Sequence, residues 1–417
     1  MSQLFQPDRV IDERDKSFPN WADGLTVDDF ISRHPCLDDF ATPLLAIDKL
    51  ALENNLQVMA KWVADHGFEL MPHGKTTMAP ALWRRQIEAG ATGITVATPW
   101  QARVALSQGA QTVQLANNYM DFHELTWAVT CLRQHLEQTL IVWADSLDAV
   151  EWLDGAIGKL DAVRPLDVLV DLGAMGGRTG ARTPEAAMAI ASAVNKSPRL
   201  KLVGAAGYEG AFGHDRSAAD VTRVRQYLDS LRDLFATVRE MIDEPPIISA
   251  GGSAFFDVVA DELGGVVDGT CRVVLRSGAY VTHDVGHYAK TSPLDESLRG
   301  PAPHLMPATW GFARVLSRPE PTLALLDGGK RDFPYDEGLP FCVASGPNLS
   351  MTGEAMSARP VTALNDQHAF VTVEPGELPV GTVVRLGLSH PCTTFDKWRL
   401  VPVADGDQVV DVVETCF

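Results

Sequence analysis

The chain has 417 residues, with 35 Lys+Arg against 54 Asp+Glu and a formal charge of −19. That balance argues against a nucleic-acid binder, which needs a basic surface to displace counterions; 34 Gly and 26 Pro are too few for a low-complexity or collagen-like chain. No apolar run approaches the ~20 residues of a membrane span, the start from Met1 to Val10 does not read as a signal peptide, and six cysteines without paired spacing point to reduced thiols in the cytoplasm.

The length suits two or three domains, or one large barrel with a companion. Residues 1–42 read as irregular. A strand-like run at 43–47 leads into an amphipathic helix over 50–66. Eight further apolar, β-branched runs then follow at 68–72, 93–97, 112–116, 139–143, 166–170, 201–205, 246–249 and 272–276. Helical stretches at 78–89, 99–108, 122–136, 147–157, 184–194 and 217–242 separate nearly all of them. Short buried strands alternating with helices imply βαβ units and a parallel sheet. Eight such units predict an α/β (β/α)8 barrel of the TIM type over 43–284 rather than an open doubly wound sheet.

After Tyr280 the pattern changes. Runs at 322–326, 369–373, 382–386 and 408–412 are strand-like, separated by Gly and Pro turns with no long helix. They predict an all-β domain over 285–417, which the strand at 43–48 can join.

Active sites of such barrels lie at the carboxyl ends of the strands. The first barrel strand is followed by Met71-Pro-His-Gly-Lys-Thr-Thr77. Gly-Lys-Thr is not a phosphate loop here, because Glu69 stands where its first glycine is needed. Lys75 is either an amine in a desolvated pocket, suited to Schiff-base chemistry, or the cap of a surface loop. The fifth strand is followed by Asp171-Leu-Gly-Ala-Met-Gly-Gly-Arg-Thr-Gly180, in which Arg178 can pair an oxygen anion. Its glycine spacing does not match a dinucleotide fingerprint. Gly207-Tyr-Glu-Gly210 follows the sixth strand, and Tyr208 either faces a ring or is structural. Ser249-Ala-Gly-Gly-Ser253 follows the seventh, with Gly251, Gly252 and Ser253 leading into a helix as a candidate phosphate site.

In the β domain, His390 and Cys392 lie two apart, so an extended strand would set both on one face. An imidazole and a thiolate suit zinc, although two ligands leave its shell open to substrate or water. His283 and His287 read as a hydrogen-bonded linker after the last barrel strand, and His368 lies beside a strand.

In combination these motifs resemble the fold-type III pyridoxal-phosphate enzymes of the D-serine dehydratase (D-serine deaminase) and D-threonine aldolase group, which join an alanine-racemase-like barrel to a β domain. The resemblance runs from about residue 40 to the end, and Pro72-His-Gly-Lys-Thr76 and His390-x-Cys392 are its most specific parts. It implies that Lys75 carries pyridoxal 5'-phosphate as a Schiff base. It further implies that Arg178 holds the ring oxygen, that Tyr208 lies near the pyridine nitrogen, and that Gly251, Gly252 and Ser253 hold the phosphate. His390 and Cys392 would bind a divalent metal, Zn2+ or Mn2+. The loop from Asp171 to Arg178 is two residues longer than the group's usual spacing, which sets Arg178 apart from Lys75.

In this group aldolases tend to carry His-x-Asp and dehydratases His-x-Cys, so Cys392 points to dehydration. The implied reaction is loss of the Cα proton to Lys75 and metal-assisted loss of the β-hydroxyl, giving pyruvate and ammonia from D-serine. Other readings are a D-threonine aldolase, a D-threo-3-hydroxyaspartate dehydratase and a non-catalytic pyridoxal-phosphate-binding protein. The resemblance also implies a homodimer.

Overall fold

The computed structural model describes residues 8–297, 303–350 and 354–417; the first seven residues of the segment expected to be irregular lie outside the described residues. The strands of the first half are β1 (Leu44–Asp48), β2 (Glu69–Leu70), β3 (Ile94–Val96), β4 (Thr112–Asn118), β5 (Thr139–Ala144), β6 (Leu166–Leu172), β7 (Leu200–Gly207), β8 (Ile247–Ala250) and β9 (Arg272–Leu275). Those of the second half are β10 (Thr309–Glu320), β11 (Leu323–Leu326), β12 (Phe341–Gly346), β13 (Glu354–Leu364), β14 (Ala369–Thr372), β15 (Val383–Gly387), β16 (Leu400–Asp405) and β17 (Gln408–Glu414).

Eight of these form one parallel sheet in the order β2-β9-β8-β7-β6-β5-β4-β3. A parallel bridge between His73 and Thr95 joins the end of β2 to β3 and brings the sheet round on itself. The expected barrel is therefore present. Side-chain caps start its helices: Thr98, Asp121 and Ser146 directly beyond a strand end, and Thr183 and Ser217 after the longer loops that follow β6 and β7, each accept a backbone N–H of the first turn. Each such cap satisfies one donor that the helix cannot, worth about 1 kcal/mol. Inside the barrel Met71, Ile141, Trp143, Leu169, Ala206, Ile247 and Val274 pack as a cluster of their own and fill its interior.

The second sheet has the order β11-β14-β13-β12-β15-β10-β1-β16-β17, with β11 also paired to β10. Strand β1 settles here: it runs antiparallel to β10 and parallel to β16. The sequence reading missed β10, β12, β13 and β16. Register shifts interrupt β10 opposite β11 and β13 opposite β14, so an alternating pattern is not kept along these long strands. Pro402 sits within β16. The N-terminal segment is not wholly irregular, since Val27–Ser32 is a short helix capped by Thr26. Among the described residues no helix is long and apolar enough to cross a membrane.

Candidate active site

The loop after β2 is fixed from both sides. Met71 N donates to Leu275 O (2.8 Å), His73 N to Arg276 O (3.1 Å) and Thr95 N to Pro72 O (2.9 Å). A Cβ on Gly278 would stand 2.3 Å from His73 O, so only glycine lets the exit of β9 pass this close. The Trp83 indole donates to Gly74 O at 3.2 Å. Residues Gly74–Thr76 thereby form a tight turn, and Lys75 lines a cavity of about 410 Å³ at the carboxyl ends of the strands.

Burial lowers the Lys75 amine below its ordinary value; the Cys392 sulfur opposes that shift, and Arg178 and Arg276 add to it. The desolvated-amine reading of Lys75 thus fits the structure better than a surface cap. Burial, reinforced by Lys75, also holds His73 well down, so its imidazole is neutral.

Arg178, Tyr208, Gly252, Ser253, His390 and Cys392 line the same cavity. The Arg178 guanidinium lies 4.8 Å from the Tyr208 ring centre. Arg182 braces the loop that carries Arg178 by donating to the carbonyls of Ala174, Gly177, Arg178 and Thr179. The longer loop therefore still delivers its arginine to the cavity. Ser253 Oγ accepts from Ala279 N at 3.2 Å.

One expectation fails. Gly251 and Gly252 were expected to offer free amides to a phosphate. Instead, Gly251 N donates to Glu209 Oε2 (2.9 Å) and Gly252 N to Glu209 Oε1 (2.6 Å). Glu209 is wholly buried, so its carboxylate needs both donors. Gly252, Ser253, Gly278 and Ala279 still line the cavity there, with the Ala279 N–H, like the two glycine amides, already given to a partner, Ser253 Oγ.

Arg276, which the sequence reading counted only as a strand end, is buried in the cavity wall. It donates to Ser249 Oγ (2.8 Å) and Gly207 O (2.6 Å), and its guanidinium lies 4.8 Å from the Trp143 ring centre. Its one visible signal was its place at the carboxyl end of the last barrel strand.

The β domain contributes the other wall. Cys392 Sγ lies 3.2 Å from Thr76 Oγ1, next to Lys75 in sequence. Burial would raise this thiol, but hydrogen bonds from His390 and Thr76 and the charges of His390 and Lys75 bring it below its ordinary value. His390 Nδ1 is 2.7 Å from Asp336 Oδ2. Burial opposes its protonation, yet Cys392 and Asp336 push the imidazole up to about 9. His390 and Cys392 sit on the loop that follows β15 and opens a short 3-10 turn, not on a strand, but they meet as expected.

His283 forms a buried pair with Asp295 at 2.8 Å, as a linker residue would. His287 differs from the linker reading. Its backbone bonds to Ser389 O, but its ring faces the cavity 5.8 Å from the His390 ring. His368 sits at the turn before β14, where its carbonyl accepts from Asn365 N.

The cavity suits a cofactor with a phosphate and a ring. Its lining holds three basic side chains, Lys75, Arg178 and Arg276. Among the described residues, His73 Nδ1 and Trp143 Nε1 are buried in that lining without a hydrogen-bond partner. Such atoms are costly unless a ligand meets them. The pair His390 and Cys392 suits a divalent ion. Asp336 fixes one ring nitrogen of the histidine and leaves the other beside the sulfur, as the carboxylate behind a metal-bound histidine does. Among the described residues no three His, Cys, Asp or Glu side chains converge on one point, so two protein ligands leave open positions, as a catalytic ion needs.

Comparison with known proteins agrees. The family model for the alanine racemase N-terminal domain matches residues 47–259, and that for a putative serine dehydratase domain matches 308–404. A D-threonine aldolase of Arthrobacter sp is 28% identical over 373 residues, covering 88% of this chain and 89% of that one. A D-threo-3-hydroxyaspartate dehydratase of Delftia sp. (strain HT23) is 23% identical over 372 residues, covering 85% and 91%. Among solved structures, the D-threonine aldolase from Filomicrobium marinum superposes with a TM-score of 0.76 at 23% identity, covering 92% of this chain and 97% of that one.

Proposed function

The chain belongs to the alanine racemase N-terminal domain family, of the fold-type III pyridoxal-phosphate enzymes, and from that premise we propose that it is a pyridoxal-phosphate- and divalent-metal-dependent dehydratase of 3-hydroxy-D-amino acids, acting on D-serine to give pyruvate and ammonia. The observation that carries this reading is the meeting of two regions. The loop bearing Lys75 and the loop bearing His390 and Cys392 line one cavity and touch through Thr76 and Cys392.

When bound, pyridoxal phosphate supplies an electron sink for charge at Cα and a divalent ion supplies a Lewis acid for the β-hydroxyl. Lys75 would carry the cofactor. Ser253 and Gly278 would hold the phosphate, and Arg178 would hold the ring oxygen. Tyr208 and Arg276 would complete the wall around the ring. His390 and Cys392 would hold the ion, which we take to be zinc because a thiolate and an imidazole are its usual partners.

The chain's own groups divide the proton work. The lowered Lys75 amine is deprotonated more readily than an exposed lysine, which suits it to take the Cα proton once its nitrogen is released. Asp336 keeps the His390 ring in one orientation, and Thr76 holds the Cys392 sulfur toward Lys75. The barrel's plugged interior, with Trp143 and Met71, keeps water from reaching the cavity from below.

With pyridoxal phosphate and zinc added, the protein should release pyruvate and ammonia from D-serine and not from L-serine. Chelation should stop the release and zinc should restore it. Unchanged turnover after exhaustive chelation would contradict the metal's part.

The retro-aldol reaction is the second reading, supported by the 28% identity to a D-threonine aldolase. It breaks Cα–Cβ and needs the β-hydroxyl deprotonated rather than expelled. Cys392, in place of the carboxylate that aldolases of this group tend to carry, favours elimination.

A further inference from the structure

We propose that Glu337 is a specificity-determining residue that disfavours substrates bearing a carboxylate on the β-carbon, so that the site selects 3-hydroxy-D-amino acids with uncharged side chains. This inference rests on the assignment of His390 and Cys392 as the pair at which the β-hydroxyl binds.

Glu337 lies in the segment that also carries Asp336. That segment is tied to the metal loop at three points: Asp336 bonds to His390 and to Thr393, and Ser389 Oγ donates to Glu337 O. The same anchoring that orients the histidine thus sets a second carboxylate into the cavity lining. Glu337 Oε2 lies 3.8 Å from His287 Nδ1, and the His287 ring in turn lies 5.8 Å from the His390 ring. The side chains placed around His390 are Asp336, Cys392, His287, Tyr288 and Asp284, and the cation Lys290 acts on His287 one step farther out.

A substrate hydroxyl held between His390 and Cys392 brings the other substituent of its β-carbon into this surround. A hydrogen or methyl group meets no penalty there. A carboxylate meets like charge. The Glu337 side chain is half exposed, with a relative exposure of 50%, so solvent weakens the repulsion without removing it. Building repulsion against a near-relative of the substrate is a general route to specificity.

The test uses zinc-loaded holoenzyme and reads ligand binding from the cofactor absorbance on rapid mixing, before turnover, with D-serine and D-threo-3-hydroxyaspartate as probes. D-threo-3-Hydroxyaspartate is expected to bind about tenfold more weakly than D-serine to the wild type. Glu337→Gln should shrink that ratio by about tenfold through tighter D-threo-3-hydroxyaspartate binding. Glu337→Asp should keep the discrimination, which a merely structural role for the side chain would not require. An unchanged ratio in Glu337→Gln, or equal binding of the two probes by the wild type, would overturn the proposal. Pyruvate release from D-serine in the same preparation reports on the dehydratase reading separately. No release with the ratio intact would contradict that reading and leave the filter standing.

Discussion

The two walls of the cavity differ in charge and in origin. The barrel wall offers Lys75, Arg178 and Arg276, with His73 held neutral among them. The β-domain wall offers Asp336, Glu337 and Cys392 around His390. A phosphate and a ring oxygen are anions and belong with the first set. A divalent ion is a cation and belongs with the second. On the proposed reading, that contrast divides an elimination between the walls: the barrel would take the proton from Cα and the β domain would hold the group that leaves from Cβ. The two walls touch at Thr76 and Cys392, which ties the geometry of one wall to the other.

Mutants should separate the walls, from the largest effect to the smallest. Lys75→Ala should abolish turnover and remove the absorbance of the lysine-bound cofactor while the fold, followed by thermal unfolding, persists. Loss of one wall's central group cannot be offset by the other. Cys392→Ala should keep that absorbance and lose D-serine elimination by about a thousandfold, because the β-hydroxyl then leaves unassisted. A variant that lost both signals together would show that the walls are not independent. Asp336→Asn should act through the loop that the carboxylate holds at His390 and Thr393. Zinc affinity measured by competition with a chelator should fall by about 10- to 100-fold, and excess zinc should recover most of the activity.

The smallest effect is a slope. His390, raised to about 9, keeps its proton near neutral pH, while Cys392 is pushed toward the thiolate. A divalent ion must displace that proton, so zinc affinity should rise by about tenfold per pH unit up to about 9 and then level off. A flat profile over that range would mean that the pair does not bind the ion as a thiolate and a neutral imidazole.

The two regions also differ in how far the sequence discloses them. The barrel strands are short, buried on both faces and bounded by capped helices, so a run such as 139–143 announces β5 within a residue. The β domain hides its longest strands. In β10 the run Thr309–Glu320 carries Arg314, Ser317 and Arg318 and shifts register twice against β11, so no alternation survives. The site shows the same division. Lys75, Arg178, Ser253, His390 and Cys392 stand in local motifs at loop positions that the barrel order makes meaningful. Arg276 is masked by the apolar strand it ends. Asp336 and Glu337 stand in a loop more than 50 residues before His390 in sequence, and only the folded chain brings them to it. The Gly251 and Gly252 expectation failed for a similar reason. Nothing in Ser249-Ala-Gly-Gly-Ser253 says that Glu209, on the neighbouring strand's loop, will take both amides.

The most direct test of the division between the walls is the identity of the products from D-threonine, with pyridoxal phosphate and zinc present. This substrate can follow either course from the same start. The account predicts 2-oxobutanoate and ammonia, the products of losing the β-hydroxyl at His390 and Cys392. Glycine and acetaldehyde would contradict it, because the β-domain wall would then serve to deprotonate the hydroxyl rather than to remove it.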